Sequence, residues 1–174
     1  MILGALVAWA CLSAAMPAQD QGPPRPPWGL RVQDAIPISV PLEILSRVDL
    51  DLDTASIKGA KVDLDGDGVK DYMIQSAPSL CGQGGCEYII VDGATGNVLG
   101  RLSGNRTLYV RREKAHGYPV IETYNHFNAR SGTHTTYRFD GTAYVVASTR
   151  FVQGESFDRL WRALGRIPMW RPHP

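Results

Sequence analysis

Cysteine is scarce in this chain: Cys11, Cys81 and Cys86 are the only three among 174 residues. That excludes a dense disulfide scaffold and leaves too few thiols for a cysteine-rich zinc site. Net charge is also nearly absent, at +1 with histidines neutral, so total charge selects no partner. No nucleic-acid-binding motif accompanies the basic stretches, which excludes a direct argument for nucleic acid. No serine elbow, His-Glu-x-x-His or phosphate-cradling glycine loop occurs, so the common hydrolase and nucleotide motifs are missing. The longest apolar run is the first 16 residues, Met1 to Met16, which hold no charged side chain. That run is too short to span a bilayer comfortably, so the remaining chain is expected to have no transmembrane segment.

The same run matches the apolar core of a secretory signal peptide, with small residues after it suited to cleavage. Residues 1–18 are read as that leader. Cys11 then leaves with it; a lipoprotein reading of Cys11 is fitted poorly by Trp9. Gln19 to Trp28 follows with four prolines in ten residues. Such a stretch joins neither a helix nor a central strand, so residues 19–29 read as an extended linker. Residues 30–174 are long enough for a single domain with its own core. A periplasmic or secreted location is the expectation.

Short strands separated by turn chemistry dominate that domain. Glu87–Val91 and Val98–Leu102 flank an Asp-Gly-Ala-Thr-Gly-Asn turn. Thr107–Arg112 and Pro119–Asn125 flank Ala115–Tyr118, and Ser56–Val62 and Tyr72–Ala77 flank an aspartate loop. Thr135–Phe139 and Thr142–Val146 flank Asp140-Gly141, which suits a two-residue type I′ turn. That turn would pair Phe139 with Thr142, Tyr137 with Tyr144 and Thr135 with Val146. The count predicts a mainly β fold, an antiparallel meander of about eight strands in two blade-like four-stranded units. Two units cannot close a propeller, so a sandwich or one strongly twisted sheet is expected. Phe157, Leu160, Trp161 and Leu164 recur at helical spacing before Gly165, which predicts a short C-terminal helix. Ile36–Val48 reads either as a short helix opened by Pro41 or as an edge strand.

The densest chemistry lies in Asp63-Leu64-Asp65-Gly66-Asp67-Gly68-Val69-Lys70-Asp71. Carboxylates fall at positions 1, 3, 5 and 9, with a glycine at position 6. Calcium takes six to eight oxygens, and a short loop can wrap it only by turning sharply at such a glycine. Asp63, Asp65, Asp67 and Asp71 would bind through side chains and Val69 through its carbonyl. An EF-hand would carry glutamate at position 12, where this chain has Ile74, and would be flanked by helices rather than strands. The loop instead resembles the calcium hairpins of FG-GAP and VCBS-type repeats, with Asp63, Asp65, Asp67, Gly68 and Asp71 at the matching positions. The resemblance implies calcium as a cofactor held in a β-hairpin; it covers a single loop, so neither a propeller nor integrin-like binding is implied. Asp49, Asp51 and Asp53 alternate without glycines and read as a solvated edge. More loosely, residues 63–68, 81–86 and 137–141 together are similar to small exported bacterial proteins of uncharacterised function.

Cys81 and Cys86 enclose three glycines, and an even cysteine count in an exported chain reads as a disulfide. The loop is then a pinned tip that could serve binding. Glu122, His126 and His134 form the one polar cluster suited to acid–base or metal chemistry. Three functions follow: a non-catalytic calcium-stabilised module for a protein or glycan ligand, an enzyme inhibitor or immunity protein using the Cys81–Cys86 loop, and a hydrolase using Glu122, His126 and His134. The missing catalytic motifs lean away from an enzyme.

Overall fold

A computed structural model describes residues 25–48, 57–77, 81–82, 85–105 and 107–171. The leader, most of the linker, Cys11, Leu80, and Asp49, Asp51 and Asp53 lie outside the described residues. In chain order the elements are β1 (Trp28–Arg31), a 3-10 turn (Val32–Asp34), β2 (Ile36–Pro37), α1 (Leu42–Leu45), β3 (Lys58–Val62), β4 (Asp71–Gln75), β5 (Cys86–Val91) and β6 (Val98–Asn105). There follow β7 (Thr107–Ala115), β8 (Tyr118–Asn128), β9 (Ser131–Phe139), β10 (Tyr144–Gln153) and α2 (Gly154–Leu164). The protein is mainly β, with ten strands among the described residues in two five-stranded antiparallel sheets.

The first sheet runs β2-β3-β4-β5-β6 and the second β1-β7-β8-β9-β10. Each is a four-stranded meander with one further edge strand, and both edge strands come from residues 28–37. The strand count is therefore two above the expected eight. Those two were hidden because β1 overlaps the proline-rich stretch and β2 is two residues long. Trp28 sits in β1 and is 1% exposed, so ordered structure reaches into the stretch read as linker. Both readings of Ile36–Val48 have a place: β2 is an edge strand and Pro41 precedes the single turn of α1.

The sheets face one another across a core that takes Val62, Met73, Tyr88 and Ile90 from the first and Leu30, Leu108, Val110, Ile121 and Tyr137 from the second. Alternation along each strand sends one set of side chains inward and leaves the other set on the outer face. Both outer faces are also covered. Val40, Ile44 and Val48 lie on Ile74, Ile89 and Val91 of the first sheet. Phe157, Leu164 and Ile167 lie on Tyr109, Tyr124 and Val152 of the second. That cover explains why β5 is apolar at consecutive residues, since Tyr88, Ile89, Ile90 and Val91 are all buried. Beyond α2 the chain returns to β1: the Gly29 N–H donates to the Pro168 carbonyl at 2.9 Å, and Trp170 packs edge-on to Trp28 at 5.2 Å.

The Asp140-Gly141 hairpin forms with a different register. Phe139 pairs with Tyr144 and Tyr137 with Val146, and after a bulge Thr135 pairs with Thr149. A type I′ turn needs positive φ at two successive residues, and here only Gly141 has it, at +106°. Asp140 Oδ1 instead accepts the N–H groups of Thr142 and Ala143 at 2.8 and 2.9 Å, making a four-residue loop. Up to the bulge the slip is by two residues, so Tyr144 and Val146 keep their faces; beyond it the shift is three, and Thr149 rather than Val146 lies opposite Thr135. Phe139, Tyr144 and Tyr118 still meet, with ring centroids 4.6 to 6.2 Å apart. The tight turn between β7 and β8 does place positive φ at successive residues, at His116 and Gly117.

Candidate metal centre

The aspartate loop joins β3 to β4 and holds itself with its own carboxylates. Asp63 accepts the N–H of Gly66 through Oδ1 at 2.6 Å and that of Gly68 through Oδ2 at 3.0 Å. Asp65 Oδ1 accepts from Asp67 N–H at 3.0 Å. Gly66 and Gly68 carry φ of +93° and +89°, a region that residues with a Cβ avoid. Asp71 is 3% exposed; its Oδ2 accepts from Leu64 N–H at 2.8 Å and its Oδ1 from Gly93 N–H at 2.9 Å.

These bonds bring ligand oxygens of Asp63, Asp65 and Asp71 within 4.8 Å of one another. Two oxygens on opposite sides of a calcium ion stand up to roughly 5 Å apart, twice the usual bond length, so the spacing fits one shared ion. Asp67 stands outside this trio, its Oδ1 accepting the N–H of Val69 at 2.7 Å, and the Val69 side chain is exposed. Burial pushes the Asp71 carboxyl up to about 6, against the two N–H donors that favour its charge, with Asp65 and Asp92 adding repulsion.

The rest of the setting was not legible as a site. Lys114 of β7 donates through Nζ to the Asp65 carbonyl at 2.6 Å, linking the loop to the opposite sheet. Asp92 precedes Gly93, and its Oδ2 accepts the Tyr118 hydroxyl at 2.7 Å. Asp92-Gly93 announces a turn in the sequence, but no local signal places it under Asp71.

Cys81 and Cys86 form a disulfide, and the Gln75 amide Nε2 lies 3.0 Å from Cys86 Sγ. Intact mass should rise by about 2 Da on reduction, as two thiol hydrogens are regained. Two freely alkylated thiols in protein recovered from an oxidising compartment would contradict the bridge.

Glu122 and His134 come together on the outer face of the second sheet, His134 Nε2 to Glu122 Oε2 at 3.4 Å. Arg111 Nε lies 3.7 Å from Glu122 Oε1, and Arg150 Nε donates to His134 Nδ1 at 3.4 Å. The row Arg111–Glu122–His134–Arg150 thus crosses four strands, with His134 Nδ1 accepting from Arg150 and Nε2 facing Glu122 without an aligned hydrogen bond. His126 does not join it; its ring rests on Tyr124 and Trp161, 4.9 and 5.8 Å between centroids. Burial opposes the charge on Glu122, but the adjacent His134 ring and the Arg111 guanidinium outweigh it and hold the carboxyl below its usual range. A carboxyl with a folded value below its unfolded one stabilises the fold above that range and loses the contribution as pH falls through the folded value. The melting-temperature gap between wild type and Glu122→Gln should therefore be widest near neutrality and close as pH falls through and below the ordinary carboxylate range. A gap that does not change with pH would remove the ion row as its cause.

Fold and site define an antiparallel β-sandwich with an acidic turn at the β3–β4 hairpin. Compared with known protein families, curated proteins and solved structures, the chain matches none.

Proposed function

We propose that this protein is an exported, non-catalytic binding module stabilised by calcium, with a protein or glycan as its ligand. The observation that supports the calcium reading is the convergence of Asp63, Asp65 and Asp71. All three come from one loop, whose two positive-φ glycines let it fold back on itself. Three carboxylates this close repel one another strongly, and a divalent cation relieves that repulsion while linking the loop to the buried Asp71. Asp71 contacts Gly93 and Lys114 contacts Asp65, so an ion here would brace the β3–β4 hairpin against the β5–β6 turn and against β7. Among the described residues no helix is long and apolar enough to cross a membrane.

Isothermal titration with calcium tests the reading. One ion per chain is expected, at roughly 10⁻⁴–10⁻³ M as in many extracellular modules, with magnesium a poor substitute because it demands stricter octahedral geometry. Asp71→Asn should weaken binding sharply. Absence of any calcium-dependent heat in wild type would overturn the proposal.

A further inference from the structure

A cavity of about 420 Å³ opens on the outer face of the second sheet, between the end of β1, the Thr107 end of β7, and the last turns of α2. That size lies within the usual range of small-molecule sites, roughly 300–1,000 Å³. Its walls differ in character. Leu164, Met169 and the ring of Tyr109 make an apolar floor, and Trp161 stands at the mouth, 47% exposed. Arg31 and Gln33 supply the polar side.

The charge at that side is unbalanced. Arg31 Nε lies 3.9 Å from Asp34 Oδ2, and Arg171 Nε lies 3.8 Å from Asp34 Oδ1. Two guanidinium groups therefore share one carboxylate, neither within hydrogen-bonding distance of it. The geometry points to a binding site for a small carboxylate with an apolar body: the body lies on Leu164, Met169 and Trp161, and the carboxylate meets Arg31. A purely apolar ligand would further desolvate the Arg31 guanidinium, whose one carboxylate contact is shared with Arg171, which costs free energy. A cation would meet the guanidinium excess. A guanidinium fork instead matches a carboxylate in both charge and shape.

The site stands apart from the aspartate loop. Lys114 touches that loop from one end of β7 and Thr107 lies at the other, a separation of roughly 20 Å at strand rise. Binding should accordingly persist in chelator, so its failure and the failure of the calcium reading are separable.

The test is titration of the full chain with decanoate and with decan-1-ol, followed by tryptophan fluorescence and calorimetry in chelator. Decanoate should give a saturable change, and decanol should bind at least about tenfold more weakly, the scale of a lost charge-assisted hydrogen bond. Arg31→Gln should remove that preference, weakening decanoate and leaving decanol unchanged. Trp161→Phe should lose the fluorescence change while calorimetry still detects decanoate. Any of three results overturns the inference: no saturable binding of decanoate, equal affinity for the alcohol, or a fluorescence change that survives Trp161→Phe. Should Arg31→Gln fail to fold, the comparison of acid with alcohol on wild type decides alone.

Discussion

Calcium at a hundredfold excess over its dissociation constant should raise the stability of the wild-type protein by about 2.7 kcal/mol. In a domain of this size that is a shift in melting temperature of roughly 8 °C. The cause would be mass action: the three carboxylates converge in the folded hairpin, so an ion held by them would favour the native state over the unfolded chain. Asp65→Ala removes one ligand of the trio while leaving the Asp71 bonds to Leu64 and Gly93 in place. It should abolish the calcium-dependent shift and leave the strand content of the far-ultraviolet spectrum unchanged. Melts of both proteins, in chelator and in calcium, give the comparison. A wild-type melting temperature indifferent to calcium would reduce the loop to an acidic turn held by its own amide hydrogen bonds.

Gly93→Ala should cost about 3 kcal/mol or more. A Cβ at Gly93 would stand 2.1 Å from the Lys70 carbonyl oxygen and 2.7 Å from its carbon, both rigid backbone atoms. The β5–β6 turn must then lift away from the aspartate loop. Relieving such overlap costs roughly 1–3 kcal/mol, and the Gly93 N–H bond to Asp71 is lost with it, which adds a further ~1.5–3 kcal/mol for a charged acceptor. Gly68→Ala is the control. Gly68 has φ of +89° but nothing within 4 Å of its Cβ position, so the cost should be only about 1 kcal/mol of backbone strain. Urea unfolding of the two variants measures the difference. Equal losses would mean that turn conformation, and not the approach of the two turns, sets the requirement for glycine at 93.

That contrast marks how far the sequence could be read at the site. The spacing of Asp63, Asp65 and Asp71 with Gly66 and Gly68 is local, and the loop folds within itself through bonds spanning two to seven residues, so the trio was legible. Gly93 looked like any Asp-Gly turn residue, because the clash that requires glycine comes from Lys70, a residue on a different hairpin. Lys114 and Tyr118 gave no signal at all, since their partners, Asp65 and Asp92, lie on the other sheet. The Cys81–Cys86 bridge was legible for the opposite reason: both sulfurs belong to one short glycine-rich loop. Glu122 and His134 met as their positions on neighbouring strands allowed, but His126, four residues further along β8 than Glu122, was drawn to Trp161 of α2.

By itself the sequence determined the class of fold, two four-stranded meanders and a C-terminal helix. It also determined which loop carries the acids and which cysteines pair. Alternation and turn residues act over a few neighbours, and those short-range preferences are written in the chain. Only the tertiary structure decided that the two meanders face each other as a sandwich and that residues 28–37 supply an edge strand to both. The cavity beside Arg31 belongs to the same class of outcome. Its walls come from β1, β7, α2 and the returning C-terminal segment, brought together by burial of apolar surface, a force without direction or sequence range.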